Sequence, residues 1–330
     1  MKIGVVGCGA VGTFYGAQLC RAGHQVHFLL RSDYEAVRAC GVQVLSPAGD
    51  FHSTPRAARR PEEIGGCDLV VVALKTTAND CFPALVGPLV QPQTRVLTLQ
   101  NGLGNEERLA ALVGPDRVLG GLCFVCLNRI APGVVRHTAH GDVLLGEHLH
   151  PPGRVTHEIA RELQGAGIAL TLRDNLAQAR WEKLVWNIPF NGLGVAGVAG
   201  PEAVLAGAVA HVPANWQTLP TDRLLADARW ERLLRELMDE VIAAANGQGF
   251  PVAATLADEM LQRTRCMGAY RASTLLDFER GLPLELDSLF REPLRRARNA
   301  GVRMPRLAAL CAVLTALDRR AAWFGQGRFC

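Results

Sequence analysis

The fold is decided by the stretch KIGVVGCGAVG at residues 2–12, where a short apolar run leads into a glycine-rich turn and a helical pattern. Gly7 can make the tight turn, Gly9 lets a backbone approach a pyrophosphate, and Gly12 lets the helix pack on the strand. The start of the helix favours an anion, because its free N–H groups and its dipole attract negative charge. The stretch therefore predicts a dinucleotide-binding turn whose contact residues are Gly7, Cys8, Gly9, Ala10, Val11 and Gly12.

The first half of the chain alternates strand and helix signals, which is typical of a parallel, doubly wound sheet. The predicted strands are Lys2–Val6, Gln25–Leu30, Asp68–Leu74 and Arg95–Leu99. The predicted helices are Ala10–Ala22, Ser32–Ala39, Ala78–Val90, Asn105–Val113 and Pro152–Gly165. A hairpin at Gly41–Ser53, antiparallel strands at Val118–Cys126 and Val134–Gly146, and a final strand at Ile168–Leu172 are expected to complete this half.

Strand signals disappear after Asp174, and the second half is expected to be helical. Its amphipathic patterns are Trp181–Trp186, Trp230–Ala245, Thr255–Glu279 and Glu285–Ala300, with a partly irregular excursion at Gly200–Asp227. The predicted fold is therefore an α/β Rossmann-type dinucleotide-binding domain at residues 1–173, followed by an all-α domain at residues 174–330.

Composition excludes several classes of protein. The chain is 49% hydrophobic and 20% charged with a formal net charge of +4, and no charge run lies beside interleaved aromatics, which disfavours nucleic acid binding. No apolar stretch is long enough to span a bilayer. Ten cysteines are scattered through the predicted strands and helices, which favours buried, reduced thiols in the cytoplasm over a disulfide framework. His137 and His140 lack a third ligand, so no metal site is expected.

The end of the second strand carries the residues that choose between NAD and NADP. An acid here binds the ribose 2′-hydroxyl of NAD, whereas an arginine pairs with the 2′-phosphate of NADP. Arg31 follows the strand directly, and its guanidinium matches phosphate geometry. NADP is favoured over NAD, although Asp33 could reach the ribose or cap the next helix.

Two polar residues follow other strands of the predicted sheet. Lys75 follows Val70–Leu74, and Asn101 follows Arg95–Leu99. Ligands of open α/β sheets bind at the carboxyl ends of strands, so both are cofactor-binding candidates. A solvated surface lysine and a plain turn remain the alternatives.

In the helical half, Lys183, Asn187 and Asn191 stand at i, i+4 and i+8 and share one helix face. Such a stripe among Trp, Leu and Phe is unusual for a solvated face and suits a polar substrate. Further along, Ser273 and Asp277 share a face of one helix. Glu285 falls in the opening turn of the next helix, where it would also serve as an ordinary capping acid.

Together these motifs resemble the ketopantoate reductases (2-dehydropantoate 2-reductases), NADPH-dependent enzymes of pantothenate synthesis. The resemblance runs through GCGAVG, Leu74-Lys75, Gln100-Asn101-Gly102, the Gly133–His137 segment, Lys183/Asn187/Asn191 and Ser273…Asp277…Glu285. It implies NADPH-dependent reduction of a 2-keto acid, with 2-dehydropantoate giving (R)-pantoate.

The resemblance also implies residue roles. Lys183 is the expected general acid and Glu285 the expected carboxylate that orients the substrate, and both are classed as catalytic. Asn187, Asn191 and Ser273 are expected to bind the substrate. Lys75 and Asn101 are expected beside the nicotinamide.

Two departures from the family leave the identity of the keto acid open. Phe290 and Arg291 replace small or polar residues near Glu285, and Gly200–Asp227 resembles an insertion. A paralogous reductase of another keto acid or ketone is therefore the first alternative, and a non-catalytic NADP-binding regulatory protein is the second. A homodimer is compatible with the sequence, since amphipathic helices bury their faces equally well within or between chains.

Overall fold

The computed structural model describes residues 1–324, with side chains as far as Arg319. It divides into two compact units, Met1–Ala179 and the residues from Arg180 onward. The boundary expected after Arg173 falls in the loop just before the helix that starts at Leu176. Residues 325–330 of the expected second domain lie outside the described residues.

The strands of the first unit form one ten-stranded sheet. They are β1 Lys2–Val6, β2 Gln25–Leu29, β3 Val42–Leu45, β4 Phe51–Ser53, β5 Arg56–Ala58, β6 Leu69–Val72, β7 Arg95–Thr98, β8 Val118–Ala131, β9 Val134–Glu147 and β10 Leu170–Leu172. Their order is β4-β3-β9-β8-β7-β6-β1-β2-β5, with β10 beside β9. The parallel pairing of β7, β6, β1 and β2 and the antiparallel pairing of β8 with β9 confirm the expected sheet.

Helices cover both faces of this sheet, which explains why its central strands are almost continuously apolar. The helices are α1 Ala10–Arg21, α2 Tyr34–Cys40, α3 Pro61–Ile64, α4 Phe82–Leu85, α5 Asn105–Val113 and α6 Arg154–Gly165. On β1, Val5 packs in one core cluster with Phe14 of α1. The next residue, Val6, belongs to a second cluster that contains Leu109 of α5. Successive side chains of a strand point to opposite faces, so each residue serves a different core.

The prediction of a single helix over Ala78–Val90 is wrong. Residues 78–90 do not form a continuous helix but two 3-10 segments, Thr76–Cys81 and Gly87–Leu89, on either side of the short α4. Pro83 and Pro88 have no N–H to donate to the preceding turn, so a continuous α-helical hydrogen-bond pattern is not available here. The segment after β6 therefore consists of short, tight turns instead of one helix.

The second unit is helical in its described part. Its helices are α7 Leu176–Ala196, whose first turn precedes the boundary, α8 Pro201–Ala206, α9 Thr221–Ala226, α10 Ala228–Gly247, α11 Leu256–Arg265, α12 Ser273–Glu279, α13 Glu292–Asn299 and α14 Pro305–Phe324. Val185 of α7, Leu234 of α10 and Leu310 of α14 are fully buried in its core. Residues 207–220 carry no regular element, which confirms the irregular excursion. An α/β unit followed by a helical unit is the fold that the sequence predicts.

The single helix expected over Thr255–Glu279 is wrong, because the chain breaks between α11 and α12. Gly268 has a φ of 63°, in the left-handed region that ends helices. The Thr221 hydroxyl donates to the Gly268 carbonyl at 2.7 Å, and the Thr221 amide donates to the Tyr270 carbonyl at 3.0 Å. These bonds occupy carbonyl groups that a continuous helix would have used.

Glu285 does not lie inside the next helix, as expected, but immediately before it. Its carbonyl accepts the Leu289 amide at 3.3 Å, and Leu286 caps the turn that follows. A π-helical turn, Asp287–Arg291, then precedes α13. Pro293 has no N–H for an ordinary turn, which favours the wider π-helical one.

Within residues 1–324, no helix is both long and apolar enough to cross a membrane. The cysteines in this part of the chain are free thiols, and Cys40, Cys81 and Cys266 are exposed rather than buried as expected.

Candidate functional site

The glycine-rich loop after β1 has the geometry that its sequence predicts. Gly7 has a φ of 98°, and a Cβ there would lie 2.4 Å from the Leu74 amide nitrogen. A Cβ on Gly12 would lie 2.3 Å from the Gly7 carbonyl oxygen. Both positions therefore require glycine for the fold. A Cβ on Gly9 would meet nothing within 4 Å, so this glycine leaves an open space at the start of α1.

That open space suits an anionic group. The capping position of α1 is Gly9, and the first turn of the helix carries no acidic residue. The Cys8 thiol donates to the Val5 carbonyl at 3.6 Å, and burial raises the pKa of this thiol well above its ordinary value. Cys8 therefore contributes no negative charge to the loop. The residues present fit the pyrophosphate of a dinucleotide.

The other cofactor-binding candidates follow the carboxyl ends of neighbouring parallel strands, which is the end of the sheet where this loop also lies. Arg31 follows β2, Lys75 follows β6 and Asn101 follows β7, and these strands are neighbours of β1 or of one another. Arg31 and Lys75 are exposed, whereas Asn101 is half-buried. Asp33 is buried, and its carboxylate accepts hydrogen bonds from Ser32 and from the Gly133 amide.

A network of buried amide side chains fixes the turns that carry Lys75 and Asn101. Gln100 Nε2 donates to the Leu74 carbonyl at 3.0 Å and to Asn79 Oδ1 at 2.8 Å. Asn79 donates in turn to Asn105 Oδ1 at 2.8 Å, and Asn105 donates to the Asn101 carbonyl at 2.9 Å. Buried polar networks with satisfied partners specify one conformation, so both turns are held rigidly.

In the second unit, Lys183, Asn187 and Asn191 all lie within α7 and therefore share one face, as predicted. Asn187 and Asn191 are buried, whereas Lys183 is half-buried. Trp186 fixes the helix next to this stripe. Its indole N–H donates to Thr264 Oγ1 at 2.9 Å, and its ring stacks on Phe190 at 4.9 Å between centroids.

Asn191 joins the stripe to α12. Asn191 Oδ1 accepts the Ser273 hydroxyl at 3.3 Å and the Thr274 amide at 3.0 Å, and Asn191 Nδ2 donates to the Asn187 carbonyl at 2.9 Å. The side-chain oxygen therefore caps the start of α12 from another helix. The structure thus brings together two candidate sets that are 82 residues apart in sequence.

Glu285 is 7% exposed and sits at the start of the turn that leads to α13. Phe290 and Arg291, which depart from the family near Glu285, make other contacts. Phe290 is fully buried, and a Cβ on Gly192 of α7 would lie 3.0 Å from its ring. Arg291 pairs with Asp287 at 2.7 Å on an exposed face and donates to Thr315 at 2.9 Å. Phe290 therefore serves core packing, and Arg291 serves a surface ion pair.

Lysine is rare in this chain, and two of its lysines are candidate site residues. Of 35 basic residues, only Lys2, Lys75 and Lys183 are lysines. Lys2 donates to the Ile64 carbonyl at 2.5 Å, and the other two are site candidates. An arginine does not release its proton in proteins, whereas a lysine does. A chain that otherwise uses arginine thus has lysine at the position proposed for proton transfer.

The described side chains, residues 1–319, contain no group of three His, Cys, Asp or Glu residues that could hold a metal ion. His137 contacts Ser46 Oγ at 2.9 Å and the His140 carbonyl at 2.7 Å.

Comparison with known proteins decides the family. The model described as "Ketopantoate reductase PanE/ApbA" matches residues 3–150, and the model of the C-terminal part of the same family matches residues 203–318. The chain belongs to the ketopantoate reductase family. It is 38% identical to a 2-dehydropantoate 2-reductase of Nostoc over 97% of this chain and 96% of that protein. It is 30% identical to the 2-dehydropantoate 2-reductase of Mesorhizobium japonicum over 96% of this chain and 98% of that protein.

Solved structures agree with this membership. The ketopantoate reductase fold of the chain superposes on a 2-dehydropantoate 2-reductase of Geobacter metallireducens with a TM-score of 0.86, at 44% identity, over 96% of this chain and 99% of that one. A D-mandelate dehydrogenase solved with NADH has a TM-score of 0.82 at 18% identity over 97% and 99% of the two chains, which shows a shared fold alone. The family resemblance predicted from the sequence is confirmed.

Proposed function

We propose that this protein reduces 2-dehydropantoate to (R)-pantoate with NADPH. The observation that carries the proposal is the contact between Asn191 and Ser273, which unites the two polar sets of the helical unit. A non-catalytic dinucleotide-binding protein has no need of such a linked polar set. The names of the relatives in the ketopantoate reductase family support the same activity.

The cofactor side of the proposal rests on the first unit. The open space at Gly9 and the start of α1 receive the pyrophosphate, and Arg31 receives the 2′-phosphate. The buried amide network holds the turns that carry Lys75 and Asn101, at the same carboxyl ends of the strands. When bound, reduced nicotinamide supplies the hydride for the keto carbon.

Lys183 supplies the proton. Addition of hydride to a ketone leaves negative charge on the oxygen, which an ammonium group both stabilises and protonates. A half-buried lysine on a helix whose other residues are mostly buried suits this task, because its position is fixed. The use of lysine here, in a chain whose other basic residues are almost all arginines, supports the same role.

The remaining polar residues recognise the substrate. Glu285 is buried and accepts a hydrogen bond from the substrate hydroxyl. The Asn187 amide donates to the carboxylate or hydroxyl groups of the substrate. Ser273 donates its proton to Asn191, so its oxygen accepts a hydrogen bond from a substrate hydroxyl. Asn191 uses its oxygen to hold Ser273 and Thr274, so we assign it a positioning role beside the substrate-binding one. All of these residues belong to one chain, so the proposal does not require a homodimer. Free thiols favour a cytoplasmic enzyme.

Replacing Asn191 by alanine is expected to lower the free energy of unfolding by about 1–2 kcal/mol, because α12 loses its cap. The KM for the keto acid is expected to rise roughly tenfold, since Ser273 is no longer held, with a smaller change in kcat. Denaturant unfolding and steady-state kinetics measure the two effects. Asn191→Asp keeps an acceptor for Thr274 and should recover part of the stability. An Asn191→Ala variant with unchanged stability and KM would refute the positioning role.

A panel of 2-keto acids tests the substrate. The values of kcat/KM with NADPH are expected to rank 2-dehydropantoate first, because its hydroxyl donates to Glu285 and analogues without a hydroxyl lose this hydrogen bond. A higher kcat/KM for a keto acid that lacks the hydroxyl would favour a paralogous reductase. Removing the charge with Glu285→Gln should reduce the preference for the hydroxylated substrate.

A further inference from the structure

A buried acid lies at the position where dinucleotide-binding proteins read the ribose. Asp33 stands four residues after the end of β2, and its side chain is 6% exposed. Its Oδ2 accepts the Gly133 amide at 3.1 Å, and its Oδ1 accepts the Ser32 hydroxyl at 2.8 Å. Arg129 Nη1 donates to the same Oδ1. Three donors therefore occupy a carboxylate that has almost no contact with solvent.

The partner of Asp33 comes from a distant part of the same unit. Arg129 lies near the end of β8, 96 residues from Asp33, and Gly133 forms the turn that follows this strand with a φ of 69°. Burial alone raises the pKa of Asp33, but the bonds from Gly133, Ser32 and Arg129 outweigh it and hold the pKa below its ordinary value. The carboxylate therefore stays ionised, and Arg129 balances its charge.

The arginines near Asp33 are more exposed to solvent than Asp33 is. The Arg129 side chain is 43% exposed, and only its Nη1 makes a hydrogen bond within the described residues. Arg31 is exposed as well, two residues after the end of β2. The acid is thus withdrawn from the ribose position, while two guanidinium groups remain accessible at this end of β2.

We propose that Arg129 is a specificity-determining residue for the cofactor: by pairing with Asp33 it removes the carboxylate that would accept a ribose 2′-hydroxyl and repel a 2′-phosphate. This inference rests on the proposed function and assigns its preference for NADPH to a residue outside the dinucleotide motif. Without Arg129, Asp33 keeps its hydrogen bonds to Gly133 and Ser32 but loses the cation that balances its charge. Its negative charge at the end of β2 then opposes a phosphate bound there.

Binding of ligand fragments to the full chain tests this without catalysis. Calorimetry would give the Kd values of adenosine 2′,5′-bisphosphate and of adenosine 5′-monophosphate, which lacks the 2′-phosphate. In Arg129→Gln, the bisphosphate should bind at least about tenfold more weakly, while the monophosphate changes little. In the double variant Arg129→Gln/Asp33→Asn, binding of the bisphosphate should recover, because no unpaired acid remains. Arg136→Gln is the matched control, since Arg136 is an exposed arginine of the next strand, β9.

Three results with the variants would overturn the inference. Unchanged bisphosphate binding in Arg129→Gln would remove the role of Arg129. A loss that the double variant does not recover would mean that Arg129 acts on the phosphate directly rather than through Asp33. An equal loss for the monophosphate would mean that Arg129 supports the site as a whole. If the wild-type chain binds neither fragment nor NADPH, the proposed function fails together with the inference.

Discussion

Replacing Lys183 by alanine is expected to lower kcat for keto-acid reduction by about a hundredfold or more. The ammonium is the proposed proton donor, and loss of a general acid typically costs this much. The Kd for NADPH should not change, because the cofactor side of the proposal rests on the other unit. Stopped-flow or steady-state assays of NADPH oxidation measure kcat, and calorimetry measures the Kd.

Two further variants separate proton transfer from positive charge. Lys183→Arg keeps the charge, but a guanidinium does not release its proton at neutral pH, so kcat should stay nearly as low as in Lys183→Ala. Lys2→Ala removes a lysine whose ammonium donates to the Ile64 carbonyl and should leave kcat unchanged. Full activity in Lys183→Ala would refute the proposed mechanism, and high activity in Lys183→Arg would mean that charge alone suffices.

Replacing Gly9 by valine is expected to weaken NADPH binding on the order of a hundredfold, a loss of about 3 kcal/mol. The new side chain would extend into the open space at the start of α1, where the pyrophosphate is proposed to bind. Stability should change by no more than about 0.5 kcal/mol, because a Cβ at this position meets nothing within 4 Å and Gly9 has an ordinary φ of −75°. Calorimetry measures the Kd for NADPH, and denaturant unfolding measures the change in stability.

Other glycines of the first unit provide the controls. A Cβ on Gly87 also meets nothing within 4 Å, and this residue lies outside the loop, so Gly87→Val should leave both binding and stability nearly unchanged. Gly7→Ala should instead destabilise the fold, since its Cβ would overlap the Leu74 amide. Unweakened NADPH binding in Gly9→Val would place the pyrophosphate elsewhere.

Local pattern predicts much of the first unit. The parallel strands, the glycine turn and the positions of Lys75 and Asn101 follow from residues that are close in sequence, since strand ends and the following turns are local features. The helix expected over residues 78–90 fails because its prolines outweigh its apolar periodicity. Helical periodicity over residues 255–279 likewise does not reveal the break, which depends on bonds from Thr221.

The contacts that complete the site are not local. Asn191 and Ser273 are 82 residues apart, and Asp33 and Arg129 are 96 residues apart. A single sequence gives the residue types at these positions but not their pairing. Asp33 shows the consequence most clearly: the pattern leaves it open as a ribose ligand or a helix cap, whereas its carboxylate is bonded to the end of the β8–β9 hairpin. The burial of Phe290 likewise depends on packing against Gly192.

The most direct test of the central proposal is an assay of NADPH oxidation by the purified protein with 2-dehydropantoate, followed by chiral analysis of the product. Oxidation should be matched mole for mole by formation of (R)-pantoate, and it should depend on Lys183. NADPH binding without any oxidation in the presence of 2-dehydropantoate would contradict the proposal.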